Sequence, residues 1–218
     1  MEKQKKALIT WGGWKGHEPK QCGLIFKGIL EEQGYEVVFT NNLKCFIDKK
    51  LMGSLDLIVP VWTMAKIKER QWQGLRDAVR KGCGLAGWHG GMCDSFRQNV
   101  GYQFMTGGQW VAHPGGVIDY TVNICSGDPI VEGIGDFPIR SEQYYLHTDP
   151  SNEVLATTTF AGDREGIDWI AGTVMPVAWK RHYGKGRVFY ASFGHTAADF
   201  ELPETREIVT RGMLWAAR

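Results

Sequence analysis

The sequence predicts an α/β fold: a mostly parallel sheet with helices on both faces, extended by antiparallel strands. Three observations predict it. The first half alternates short apolar runs with amphipathic stretches, the rhythm of strand–helix–strand units. The second half alternates apolar and polar residues over Ile118–Ile124, Val154–Phe160 and Val174–Trp179, as strands with one solvated face do. The chain has 218 residues, 43% apolar and 22% charged, enough for a large core without disulfides. No internal repeat or Pro/Gly/Ser linker divides it, so a single domain over 1–218 is expected.

Lys6–Thr10 is short, apolar and β-prone, and it empties into a Gly/Trp loop. Pro19 suits the first turn of the next helix; Leu24, Ile25, Gly28 and Ile29 recur at helical spacing, and Gly34 ends it. Tyr35–Thr40 is the second strand, and the continuous apolar run Leu55–Val61 is a third, buried on both faces. Lys66–Lys81 is polar with Trp72, Leu75 and Val79 on one stripe, a helix closed by Gly82. Cys83–Trp88 is another buried strand that stops at His89. Tyr183–Arg187 is a hairpin turn into Val188–Ser192, and Glu204–Ala217 closes the chain as a helix with Val209, Met213 and Ala216 on one face.

Charge and cysteine content narrow the function. Lys plus Arg is 25 against 24 Asp plus Glu, a net of +1, so no basic surface calls for nucleic acid or an anionic membrane. No apolar run reaches the roughly 18–20 residues that span a bilayer, and the basic start Met1–Lys6 lacks the run of a signal peptide, so a cytoplasmic protein is expected. The five cysteines are odd in number and form no CxxC pair, so neither a disulfide framework nor a cysteine zinc site is expected.

The sharpest motif is Gly87-Trp88-His89-Gly90-Gly91, directly after a buried strand. It has the shape of a nucleophile elbow, in which small neighbours let the central residue sit strained and exposed at the carboxyl edge of the sheet. A histidine there suits proton transfer or metal ligation rather than acyl-enzyme chemistry. Cys93, four residues on, is expected to be a buried packing thiol. Gly194-His195 follows the last strand and is placed to face the same edge. In Ser141–Asp149, an extended chain puts Glu142, Tyr144 and Leu146 on one face, with Glu142 able to orient a histidine or act as acid/base. His17 lies in the loop after the first strand, and His113 precedes Pro114 in a Gly/Trp-rich segment. No HxH or HExxH spacing is present, so no residue is assigned as a metal ligand, although three histidines and a carboxylate brought together could bind zinc. No GxGxxG fingerprint is present, so no NAD is expected, and no cofactor is assigned.

Six stretches carry a resemblance across nearly the whole chain: WGGWKGHEP, LAGWHGGMCDSFR, GGQWVAHPGG, DPIVEGIGDFPIRSEQYYLH, MPVAWKRHYGKGRVFYASFGH and the closing MLWAAR. With these the chain resembles the ThuA-like (trehalose utilisation) family of the class I glutamine amidotransferase-like superfamily. That resemblance implies a flavodoxin-like three-layer α/β/α sandwich. In amidotransferases the elbow carries cysteine, with a histidine and a glutamate after later strands. Here the elbow residue is His89, the later histidine is kept as His195, and Ala197 stands in place of the glutamate, which argues against glutaminase chemistry. Glu142 is the substitute carboxylate. The family's link to sugar and trehalose catabolism, beside oxidoreductases that make keto-sugars, implies a carbohydrate substrate.

The resulting expectation is a sugar-modifying enzyme working by histidine-centred acid/base chemistry, its class as isomerase, lyase or hydrolase left open. His89, Glu142 and His195 are the catalytic candidates, and Trp11, Trp14, His17, Trp62, Trp88 and His113 the substrate-binding ones. The partner is a small-molecule sugar, with no nucleic acid and no membrane, and a homo-oligomer is left open. The alternatives are a metal-dependent hydrolase using His17, His89, His113 and His195, or a non-catalytic sugar-binding or regulatory protein.

Overall fold

A computed structural model describes residues 4–164 and 166–218, so the basic start at Met1 lies partly outside the described residues. Strands are β1 (Lys6–Gly13), β2 (Glu36–Thr40), β3 (Leu57–Thr63), β4 (Gly84–Trp88), β5 (Gly108–Ala112), β6 (Val117–Ile124), β7 (Phe137–Glu142), β8 (Tyr145–Thr148), β9 (Glu153–Thr159), β10 (Val174–Tyr183) and β11 (Gly186–Ala191). Helices are α1 (Pro19–Glu32), α2 (Lys49–Ser54), α3 (Glu69–Arg80), α4 (His89–Cys93), α5 (Val100–Thr106) and α6 (Pro203–Ala216). The main sheet runs β2-β1-β3-β4-β11-β10-β9-β6-β7, and β5 pairs with β8 separately. Pairings from β2 through β11 are parallel, and those from β11 to β7 are antiparallel. The α/β three-layer expectation therefore holds, with a larger antiparallel half than the alternating segments suggested.

Strand alternation divides the core between the two faces of the sheet. Ile9, Val59, Trp88 and Phe189 pack with Phe26 of α1 and Ile208 and Met213 of α6. Leu8, Ile58, Leu85 and Val188 pack with Trp72, Leu75 and Val79 of α3 on the other face. Among the described residues no helix is long and apolar enough to cross a membrane.

Three expectations are corrected. In α1 the buried stripe is Pro19, Cys22, Gly23, Phe26 and Leu30, while Leu24 is 46% exposed. Cys22 and Phe26, not Leu24, carry the side chains that fill the space under β1 and β4. Ser141–Asp149 is not one strand: β7 ends at Glu142, and Glu142, Gln143 and Tyr144 are all buried before β8 begins at Tyr145. The expected two-face alternation stops there, because the chain turns inward to deliver Glu142. Finally, α3 begins at Glu69 rather than Lys66, where the Gln71 side chain accepts a hydrogen bond from the Lys68 backbone N–H at 2.9 Å.

Candidate functional site

Four segments meet at the carboxyl edge of the parallel strands. The loop after β1 supplies His17, the end of β4 supplies His89, the end of β7 supplies Glu142, and the loop after β11 supplies His195. β7 is the last strand in the sheet order, yet its end returns to the turn that follows β11. Ser141 Oγ donates to Asp199 Oδ2 at 2.5 Å and fastens that return.

The local sequence explains each placement. His89 has φ +47°, a left-handed conformation that costs a side-chain-bearing residue energy and survives only where its surroundings enforce it. Gly90 is required beside it, since a Cβ there would lie 2.6 Å from His17 Cε1. The His89 ring is fixed by Nδ1 against the Ser192 carbonyl at 2.7 Å and by Tyr144 stacked at 4.0 Å between centroids. His17 Nδ1 lies 2.8 Å from Thr63 Oγ1 at the end of β3. Asp199 Oδ2 accepts the backbone N–H groups of Gly194 at 3.1 Å and His195 at 2.9 Å. Glu18 Oε2 accepts the Ala197 N–H at 3.0 Å, tying the His17 loop to the His195 loop. Among the described residues the three non-glycine positive-φ positions are Glu18, Met64 and His89, following His17, Thr63 and Trp88. Backbone strain is thus concentrated around this centre.

Distances within the centre are short. Glu142 Oε2 is 3.1 Å from His89 Nε2, 3.3 Å from His195 Nδ1 and 3.8 Å from His17 Nε2. His195 Nδ1 is 3.3 Å from His89 Nε2. Glu142 Oε1, the other oxygen, faces His113 Nδ1 at 3.8 Å. His17, His89 and Glu142 are buried, at 8%, 1% and 6% exposure. Burial pushes the His89 imidazole down to about 4, against the opposing pull of Glu142. Burial raises Glu142, but His17, His195 and His89 around it outweigh that and hold its carboxyl well below the usual range. His195 is lowered by burial yet ends raised, because Glu142 stands beside it. At neutral pH this describes an ionised Glu142, a neutral His89, and a His195 that holds its proton more readily than a free imidazole.

Of the sequence-predicted residues, His17, His89, Glu142 and His195 converge, and Trp14 and His113 flank them. Trp14 is 46% exposed, its ring 4.6 Å from His17 and 6.5 Å from His195. Trp88 is not a lining residue: strand alternation turns it into the core, 2% exposed, against Phe26 and Phe200. Trp11 stacks on Phe39 at 5.7 Å, and Trp62 lies against Gly12, with no ring contact to the histidines among the described residues. Cys93 is buried, and burial raises its thiol well above its ordinary value. Sequence reasoning did not assign Tyr144, Thr63, Ser141, Glu18 and Asp199. Thr63 at a strand end and Glu18 beside His17 were the findable ones, by the same edge rule that located the histidines.

The centre offers two kinds of chemistry. The His195–Glu142–His89 contacts are close enough to pass a proton. In addition His17, His89, Glu142 and His195 each present one ligand atom, all within 4.8 Å of one another, so these four could hold a metal ion. A cavity of about 730 Å³ between α2 and α3 is lined by Phe46, Met52, Arg70 and Lys81 among others and contains none of these groups.

A family model described as trehalose utilisation matches residues 6–216. Among solved structures, the chain is similar to a ThuA-like protein from Bacteroides uniformis, at 15% identity and TM-score 0.80, covering 98% of this chain and 91% of that one. It is similar to a ThuA-like protein from Parabacteroides merdae, at 17% identity and TM-score 0.79, covering 98% and 90%. It also matches a cytoplasmic protein from Salmonella typhimurium, at 12% identity and TM-score 0.64, covering 98% and 100%. No curated protein matches it.

Proposed function

The chain belongs to the trehalose utilisation (ThuA) family, and from that premise we propose that it is a cytoplasmic enzyme acting on a sugar or keto-sugar derivative. The observation that carries the proposal is the meeting of three imidazoles from three separate loops on one buried carboxylate. Burying an ionised carboxylate is costly unless it is paired, so a fold that does so at its carboxyl edge is supporting chemistry there.

Each side chain has a role in this reading. His195, at 15% side-chain exposure, is the proton donor, poised by Glu142 at 3.3 Å. His89, held neutral by burial and oriented by Ser192 and Tyr144, is the base. Glu142 stabilises whichever imidazole carries the charge. Trp14 offers an exposed aromatic face beside His195, suited to the apolar face of a sugar ring, and His113 closes the opposite side of Glu142. Thiol chemistry of the glutaminase kind has no place here, since the elbow residue is His89 and Cys93 is sealed in the core.

The test is turnover of trehalose-type disaccharides and their keto-sugar derivatives, followed by mass spectrometry and proton NMR. Loss of an acid/base residue costs about 10²–10⁴-fold in rate, so His195→Ala and Glu142→Gln are expected to fall in that range while remaining folded by circular dichroism. Saturable sugar binding without any product in the wild type, or full turnover in both variants, would overturn the reading.

A further inference from the structure

We propose that a cavity of about 310 Å³ beside the histidine–carboxylate centre is a subsite for one further sugar ring, the unit of a disaccharide or glycoside that does not itself react. The inference deepens the functional reading above and rests on it only for the fate of the reacting ring.

The sheet register places the cavity next to the centre. In the β6–β7 pair Val117 lies opposite Glu142 and Asp119 opposite Arg140. Residues directly opposite share a face, and so do alternate residues along a strand. Asp119, Thr121 and Asn123 therefore lie on the Glu142 face of the sheet, and all three line the cavity. At about 3.4 Å per residue, Asp119 and Thr121 stand about 7 and 13 Å along β6 from the position opposite Glu142. A second ring covers that span when the first is held at Glu142. Chain neighbours join the two places: Pro114 follows His113, Gln143 follows Glu142, and both line the cavity.

The polar groups around it ask for hydroxyls. Gln143 is 3% exposed. Its amide nitrogen donates to Thr158 Oγ1 at 2.8 Å and to the Thr159 carbonyl at 3.4 Å, which fixes which arm of the amide is which. The other arm, Oε1, meets no donor among the described residues, on a side chain that lines the cavity. A buried acceptor left without a donor costs free energy, and a ligand hydroxyl supplies that donor. Asp119 Oδ2 accepts from Arg140 at 2.9 Å, and Asn123 Nδ2 donates to Asp136 at 3.0 Å, so each has its other oxygen to offer. Arg164 supplies donors on the far wall. It packs against the turn that carries His113, where a Cβ at Gly115 would lie 2.4 Å from Arg164 Nε. The set holds acceptors, donors and the Thr121 hydroxyl, which is both, so its ligand must bring both. Ring hydroxyls do so; an apolar group or a simple anion does not. Small-ligand sites run about 300–1,000 Å³, so this one has room for a single unit, and the centre takes the other.

The experiment measures binding and turnover separately. Trehalose, maltose, cellobiose and their keto derivatives are the two-ring probes, and glucose and keto-glucose the one-ring probes. Wild type is expected to bind at least one two-ring probe about tenfold more tightly than any one-ring probe in calorimetry, and to favour it similarly in kcat/KM. Gln143→Met deletes the acceptor at similar volume, Thr121→Tyr fills the cavity, and Arg164→Ala removes the guanidinium. Each is expected to weaken two-ring binding about tenfold, the worth of one good hydrogen bond, with unchanged circular dichroism. Thr121 and Arg164 are exposed, so their variants test the site even where Gln143→Met unfolds. Lys49→Ala on α2, lining a different cavity, is expected to bind as the wild type does. Absence of saturable two-ring binding, equal affinity for both kinds of probe, unchanged binding in Thr121→Tyr and Arg164→Ala, or loss in Lys49→Ala would overturn the subsite. Any of these with turnover of the one-ring probes leaves the enzyme reading standing. Two-ring binding that the cavity variants weaken, with no product from any probe, keeps the subsite and removes the enzyme reading.

Discussion

Asp199→Ala is the perturbation whose consequences the structure specifies most closely. One carboxylate oxygen, Oδ2, receives the N–H groups of Gly194 and His195 and the Ser141 hydroxyl, at 3.1, 2.9 and 2.5 Å. Removing it leaves those donors without their acceptor. Ser141 can rotate, and the His195 backbone is only partly covered, so water can reach it; Gly194 is buried. An unsatisfied buried donor costs about 1–3 kcal/mol, and a partly solvated one less, so the loss is about 2–4 kcal/mol in total. At about 2.1 cal/mol/K per residue, 218 residues give an unfolding entropy near 0.46 kcal/mol/K, so Tm should drop by about 4–9 °C in scanning calorimetry. Asp199→Asn keeps a carbonyl oxygen for the two amides and should lose less than half as much. Its distinguishing effect is on the centre, because the His195 loop and the Ser141–Glu142 segment are no longer fastened to one charged atom. The pH profile of turnover should shift in Asp199→Asn even where Tm barely moves. An unchanged Tm in Asp199→Ala, with an unchanged pH profile in Asp199→Asn, would refute the idea that this carboxylate positions the centre.

Two further outcomes follow from other features. Gly212→Ala in α6 sets helix propensity, worth about 1 kcal/mol in favour of alanine, against overpacking at about 1–3 kcal/mol. The added Cβ would overlap the Phe189 ring, so a net loss is expected, and a urea midpoint above wild type would contradict it. The second concerns acid stability of chelator-treated protein. His89 has its pKa lowered by burial from 6.5 to about 4, so below pH 6.5 the unfolded chain takes a proton that the folded chain refuses, and stability falls with pH. Glu142 adds its own loss only as pH drops below its ordinary 4.5, because its folded value is depressed. The contribution of His195, which is raised, acts oppositely and fades as pH climbs through its folded value. Between pH 6.5 and 4.5 the urea midpoint of wild type should therefore decline more steeply than that of His89→Gln, and equal slopes would count against a buried neutral imidazole.

The parallel half of the fold was legible because its strands are buried on both faces and bracketed by glycine-ended helices. Leu57–Thr63 and Gly84–Trp88 announce themselves as apolar runs, and Trp72, Leu75 and Val79 mark the inner face of α3. The short pieces β5, β7 and β8 were not separated in advance, since four to six residues with mixed polarity carry little periodicity. At the centre, His89 and His195 could be found from their places just past strand ends. Glu142 was named beside them as a carboxylate able to orient a histidine, but the route by which it arrives was not legible, because it depends on the antiparallel half bringing an edge strand back to the loop after β11. The tryptophans misled for a simpler reason: one-residue alternation separates Trp88 from His89, so neighbours in the chain serve opposite sides of the sheet.

His17 and His195 stand near opposite ends of the chain, and Glu142 arrives from the last strand of the sheet order. Contacts so distant in sequence carry a large loop-closure cost and are slow to form. A nascent or truncated chain therefore carries scattered, weakly basic rings with no shared pocket. The histidine–carboxylate centre comes together only with the finished architecture, so its assembly can serve as a direct readout that folding is complete.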